Sequence, residues 1–139
     1  MARFKTLARR TFSGQRPYIL FLCTGNTCRS PMAYGIMRKL LEEAGITDIE
    51  VKTAGVMTIP GLIPTQECRQ ILQNDGVCID HLRSCQLTPE LIRRASIIFG
   101  MTSFHVQMAL RMCEEARGKT FLLKEFTGSD PMNGQIQDP

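Results

Sequence analysis

The sequence predicts an α/β fold: a single domain on a four-stranded parallel twisted sheet, flanked by helices on both faces. Three observations predict it. Strand-like and helix-like segments alternate along the chain, the pattern that yields parallel strands joined by crossover helices. The strand-like runs are short and apolar at consecutive positions, as strands covered on both faces must be. The chain is 139 residues long, with 43% hydrophobic and 22% charged side chains, enough for one ordinary globular core.

Residues 18–22, Tyr-Ile-Leu-Phe-Leu, form the first predicted strand. A helix follows, with Ser30 as its cap and Pro31 at its first position, where a missing amide hydrogen costs nothing. Met32, Ala33, Ile36, Met37, Leu40, Leu41 and Ala44 recur at helical spacing, and Gly45 ends the run. Residues 49–54 read as a second strand, ending at Gly55. Residues 64–74 are the next helix, with Gly76 just beyond it. Thr88 caps a third, with Pro89 in its first turn and Glu90 near its positive end. A strand over 96–101, a helix over 103–113 and a strand over 120–123 follow, and 128–139 is turn-rich loop. Sheets of this kind collect ligands at the carboxyl ends of their strands.

The net charge of +4 is unevenly spread. Residues 1–17 carry Arg3, Lys5, Arg9, Arg10 and Arg16 and no acid, whereas residues 18–139 hold 12 basic and 13 acidic side chains. Basicity therefore belongs to an N-terminal extension over 1–17, read as flexible, and not to the domain over 18–139. A nucleic-acid-binding face is not expected. The extension shares its composition with mitochondrial transit peptides and lacks the apolar stretch of a secretory signal. The apolar run at 19–23 falls far short of the roughly 18 residues of a membrane span, so no membrane partner is expected. Cysteines 23, 28, 68, 78, 85 and 113 show no zinc-type spacing and come without an export signal. They read as reduced thiols in a cytoplasmic protein.

The chemistry sits in Cys23-Thr24-Gly25-Asn26-Thr27-Cys28-Arg29-Ser30-Pro31, between the first strand and the first helix. Amides at a helix N-terminus lack partners and the helix dipole favours an anion there. Gly25 lets the chain curl so that successive amides converge as a nest, and Arg29 grips two phosphate oxygens through its planar fork. Cys23 sits where the same dipoles favour a thiolate, which attacks phosphorus to form a phosphocysteine. Ser30 is placed to donate a hydrogen bond to the sulfur. No metal or organic cofactor is implied.

The segment at 23–33, Cys-Thr-Gly-Asn-Thr-Cys-Arg-Ser-Pro-Met-Ala, resembles the active-site signature of the low-molecular-weight protein tyrosine phosphatase family. The resemblance runs from residue 18 to residue 139 and includes Ala54-Gly55 and the Met-Thr pair at 101–102. It implies Cys23 as nucleophile, Arg29 as phosphate clamp, and the amides of Thr24, Gly25, Asn26, Thr27, Cys28 and Arg29 as the cradle. It also implies that Asn26 braces the loop and that His81 supports Asn26. Cys28 reads either as a small packing residue or, as in the family, as a neighbour that protects the nucleophile from over-oxidation.

The resemblance further implies a general acid within a late Asp-Pro pair. Asp130-Pro131 and Asp138-Pro139 both qualify, and the approach Gly134-Gln135-Ile136-Gln137 favours Asp138. Two departures stand out. The family's C-terminal helix is not expected within these 139 residues, and Tyr34 follows Pro-Met-Ala where the family commonly has an acid.

Thr27 occupies a position where classical members carry a branched aliphatic residue, and it resembles the bacterial branch that hydrolyses phosphoarginine in proteins. A hydroxyl on the pocket wall suits a guanidinium, whereas an aliphatic wall suits a phenol ring. Leu123-Lys124-Glu125-Phe126 also looks like that branch, and residues 56–60 offer no aromatic ring to stack on phosphotyrosine. The expected partner is a phosphorylated protein, on phosphoarginine or phosphotyrosine, with a phosphate or other oxyanion in the loop. Two alternatives remain: a thiol-dependent arsenate reductase on the same fold, for which Cys78 and Cys85 lie in an unsuitable place, and a truncated, non-catalytic phosphate-binding module.

Overall fold

A computed structural model of the chain describes residues 16–126. Its elements in chain order are β1 (Tyr18–Cys23), α1 (Arg29–Glu43), β2 (Glu50–Gly55), α2 (Gln66–Asn74), α3 (Pro89–Arg94), β3 (Ile97–Gly100), α4 (Ser103–Met112), a 3-10 turn (Glu114–Ala116), β4 (Thr120–Leu122) and α5 (Leu123–Phe126). Residues 1–15 and the late segment holding Asp130 and Asp138 lie outside the described residues.

All four strands are parallel, in the order β2-β1-β3-β4. Alternate residues of β1 feed two separate cores. Tyr18, Leu20 and Leu22 pack with Ile92 of α3 and Ala109 of α4, while Ile19, Phe21 and Cys23 pack with Met37 and Leu41 of α1. Helices thus cover both faces, and every β1 residue is buried. Each fully buried Ile, Leu or Phe contributes about 1.5–3 kcal/mol, so β1 anchors the molecule.

The helix boundaries follow local chemistry. The Thr65 hydroxyl accepts the Cys68 amide at 3.3 Å and starts α2 two residues later than the sequence suggests, and Thr88 accepts the Leu91 amide at 3.2 Å to start α3. Gly45 and Gly76 close α1 and α2 with φ of 70° and 79°. The last strand ends before Leu123 and the chain turns into α5. Phe126 there meets Phe99 edge-on at 5.0 Å and Phe121 at 5.2 Å, a tertiary packing that local periodicity does not announce.

The strand order places the site. From β1 the chain crosses to β2 on one side and later returns to β3 on the other, so a crevice opens at the carboxyl end of β1. Cys23 is the last residue of that strand. No described helix is long and apolar enough to cross a membrane.

Candidate active site

The loop between β1 and α1 is held from outside by its carbonyl groups. Cys23 O accepts the Val56 amide at 3.0 Å, Thr24 O the Met57 amide at 3.0 Å, and Gly25 O the Thr58 hydroxyl at 2.7 Å. Thr27 O accepts the Thr65 amide at 2.8 Å, and Cys28 O the Met32 amide at 2.9 Å. In a planar trans peptide the carbonyl and the following N–H point in opposite directions. Four of these carbonyls are tied to other segments and Cys28 O to the first turn of α1, so the amides of Thr24, Gly25, Asn26, Cys28 and Arg29 point away from those partners. The Asn26 amide shows the direction: it points at Cys23 Sγ, 3.3 Å away.

Beneath the sulfur lies a buried polar chain. Ser30 Oγ is 3.0 Å from Cys23 Sγ and accepts the Asn26 Nδ2 hydrogen at 2.7 Å. That second contact commits the Ser30 oxygen as acceptor and leaves its own hydrogen for the sulfur. Asn26 Oδ1 in turn accepts the Cys85 amide at 2.8 Å. Asn26 has φ of 59°, a left-handed conformation that asparagine tolerates better than most side chains. It is only 2% exposed, so its carboxamide must be satisfied internally. Gly55 lies directly below, where a Cβ would meet Thr24 O at 2.7 Å and Asn26 Cβ at 3.1 Å. Any side chain there would push the loop open.

Ser30 is not the helix cap. Helix α1 begins at Arg29 with Cys28 at the cap position, and the Cys28 side chain makes no capping hydrogen bond. Ser30 sits within the first turn, its hydroxyl drawn away to the sulfur and to Asn26. The positive end of α1 is thus left without a side-chain cap where an anion would be held.

Arg29 follows the loop, and its Nη2 reaches Thr24 Oγ1 at 3.4 Å. The same hydroxyl lies 3.0 Å from Nε2 of His105, a buried residue of α4. His105 escapes sequence reasoning. Its trace in the chain is the three-residue step from Thr102, which forms a reciprocal capping box with histidine in the place usual for Glu or Gln.

The contact expected between His81 and Asn26 is not formed. His81 Nε2 lies 3.0 Å from the Tyr34 hydroxyl, which also accepts a hydrogen from Arg38 Nη1 at 2.8 Å. Tyr34 is buried against Cys68, Leu72 and Ile79. A phenol in place of an acid at this position thus engages His81 on the far side of α1, and the brace on Asn26 falls to the Cys85 amide.

All six cysteines are free. Cys68 lies below Cys28, its thiol 3.5 Å from Cys28 O. Burial, with the nearby Cys28 and Cys23 sulfurs, pushes the Cys68 thiol from an ordinary 9.0 up to about 11. Cys85 supplies its amide to the loop, with its own sulfur turned to Gln86 O at 3.6 Å. Among the described residues no three His, Cys, Asp or Glu side chains are grouped to hold a metal ion.

A thiol, a turn of inward amides and a guanidinium at the carboxyl end of the first strand are the parts of a cysteine-based phosphatase site. Residues 18–139 match the family described as low molecular weight phosphotyrosine protein phosphatase, and the chain belongs to that family. It is 44% identical over 125 residues to a protein-arginine-phosphatase of Geobacillus stearothermophilus, covering 88% of this chain and 79% of the relative. The crystal structure of a low molecular weight protein tyrosine phosphatase from T. tengcongensis superposes with a TM-score of 0.80 at 35% identity, over 88% of this chain and 82% of that one. The YwlE arginine phosphatase, in a mutant with a phosphorylated active site serine, aligns with a TM-score of 0.75 at 35% identity, over 85% of this chain and 80% of that one.

Proposed function

We propose that the protein removes phosphate from phosphorylated protein side chains through a phosphocysteine on Cys23, with phosphoarginine preferred over phosphotyrosine. The observation that carries the reading is the outward tethering of four loop carbonyls, which turns the amides that follow them to the opposite side, where the Asn26 amide meets the sulfur. These donors, with the positive end of α1 and the Arg29 fork, suit a tetrahedral oxyanion that gains charge in the transition state. The Cys23 sulfur attacks phosphorus in line while the bond to the side-chain nitrogen or oxygen breaks. A carboxylic acid protonates the leaving group, and as carboxylate it then takes a proton from the water that cleaves the S–P bond. Asp138 is proposed for this role over Asp130.

Two features support phosphoarginine. Half-buried Thr27 has no hydrogen-bond partner for its hydroxyl among the described residues, so that group is available to a guanidinium. The relative at 44% identity bears the name of an arginine phosphatase, and so does one of the solved structures. A cytoplasmic setting, which keeps all six thiols reduced, fits the chemistry required of Cys23.

The test is steady-state hydrolysis of phosphoarginine and phosphotyrosine peptides by the wild-type protein, with Cys23→Ser as blank. Phosphate release by the wild type alone, faster on phosphoarginine, is the expected result. Release that survives Cys23→Ser would overturn the assignment of the nucleophile.

A further inference from the structure

We propose that His105 is a positioning residue for the phosphate clamp, acting through the Thr24 hydroxyl on Arg29; the inference rests on the reading of the site just given. The tautomer of the buried ring follows from its neighbours. A backbone N–H can only donate, and that of Thr102 lies 3.1 Å from His105 Nδ1, so Nδ1 is the bare, accepting nitrogen. The hydrogen of the neutral ring is then on Nε2, 3.0 Å from Thr24 Oγ1, and the ring donates to that oxygen. Arg29 Nη2 donates to the same oxygen at 3.4 Å. Both contacts being donors, neither can receive the hydroxyl's own hydrogen, which is left for a third group. An oxyanion in the adjoining cradle is the acceptor this loop is shaped to hold.

The path runs from one strand end to another. Thr102 and His105 belong to the turn and helix after β3, and Thr24 follows β1, its strand neighbour. The His105 ring is 1% exposed and locked at its Nδ1 end by the first turn of α4. It therefore fixes the Thr24 side chain in one rotamer, and the Thr24 oxygen gives the Arg29 fork a seat at one edge. A guanidinium so seated is held toward the loop and need not first be ordered when phosphate binds.

Two substitutions separate this role from simple helix capping. His105→Asn keeps an oxygen near the position of Nδ1, so the Thr102 cap survives, but nothing reaches Thr24. His105→Gln is long enough to extend an N–H to the neighbourhood of Nε2, and glutamine is itself a usual residue at this place in a capping box. The expected result is a loss of about 10- to 100-fold in kcat/KM for His105→Asn, with a parallel weakening of inhibition by inorganic phosphate. His105→Gln recovers most of both. Thr24→Val loses as much as His105→Asn, and the double variant loses no more than either, because both act along one path.

Full activity and phosphate affinity in His105→Asn would overturn the inference. So would losses that multiply in the double variant, or losses in both histidine variants that track only their unfolding midpoints. If the wild type hydrolyses neither phosphopeptide, the catalytic reading falls separately, and phosphate binding by the same four variants decides the role of His105.

Discussion

The Asn26 carboxamide oxygen accepts the amide hydrogen of Cys85 at 2.8 Å, joining the loop between β1 and α1 to a segment 59 residues away. Its nitrogen donates to Ser30 at the same time, so one buried side chain ties the loop to both the helix that follows it and the strand-end region beneath.

Breaking that chain at Ser30 leaves the Asn26 Nδ2 group buried without an acceptor. Ser30→Ala is therefore expected to cost about 1–3 kcal/mol of stability, the usual penalty for an orphaned buried donor. It also removes the hydroxyl from the Cys23 sulfur, so turnover falls by about tenfold or more. Chemical denaturation and steady-state kinetics on the same variant check both, and unchanged values in either measurement would contradict the contact.

Gly55 packs directly against the loop, with Thr24 O only 2.7 Å from where a Cβ would be. Gly55→Ala must displace backbone, because neither Thr24 O nor the β2 strand end is a flexible side-chain tip. Phosphate affinity is expected to fall by about tenfold or more, since a shift approaching 1 Å in the cradle misplaces several donors together. Inhibition of the enzyme by inorganic phosphate measures it.

Replacing Thr27 by Ile removes the hydroxyl proposed to recognise a guanidinium and substitutes an aliphatic wall. The ratio of kcat/KM for phosphoarginine over phosphotyrosine is expected to drop by about 10-fold or more. Parallel assays of Thr27→Ile and wild type on matched peptides read that ratio directly, and a ratio that does not move removes the specificity argument.

The general acid is separable by substitution. Asp138→Asn should bind substrate with near-native affinity while turnover collapses by about 10²- to 10⁴-fold, and Asp130→Asn should behave like wild type. The reverse pattern would transfer the role to Asp130.

Two buried acids set the alkaline limit of the fold. Burial pushes Cys68 from 9.0 up to about 11, and pushes Tyr18, whose hydroxyl donates to Leu91 O at 2.6 Å, from 10.0 up to about 12. Both folded-state values are raised, so the stability they contribute is complete below about pH 9, where the unfolded chain still holds its protons. It is lost as pH rises through 11 and 12. Unfolding midpoints measured against pH should stay level to about pH 9 and then decline, with a shallower decline in Cys68→Ala. Iodoacetamide at pH 8 should spare Cys68 in the folded protein and label exposed Cys78.

Much of the molecule is legible in the chain because the forces are local. A run of five apolar residues before a glycine-containing turn, followed by helical periodicity, is enough to place β1, the loop and α1. The spacing from Cys23 to Arg29 is likewise local, since a loop of that length at a helix N-terminus has few ways to close. Thr88, Gly45 and Gly76 mark helix ends by the same reasoning. Here backbone sterics and side-chain capping act within a few residues of their cause.

The tertiary structure alone decided which groups meet at the sulfur. The ring of His105 reaches Thr24 across 81 residues, and the Cys85 amide reaches Asn26 across 59. Neither pairing leaves a periodic trace, because each is made only once parallel strands bring their carboxyl ends side by side. His81 shows the same dependence in reverse: the family resemblance implies a contact with Asn26, yet the buried phenol of Tyr34 captures it. Local pattern names the reactive loop, whereas the packing of distant strand ends sets the direction of each hydrogen bond inside it.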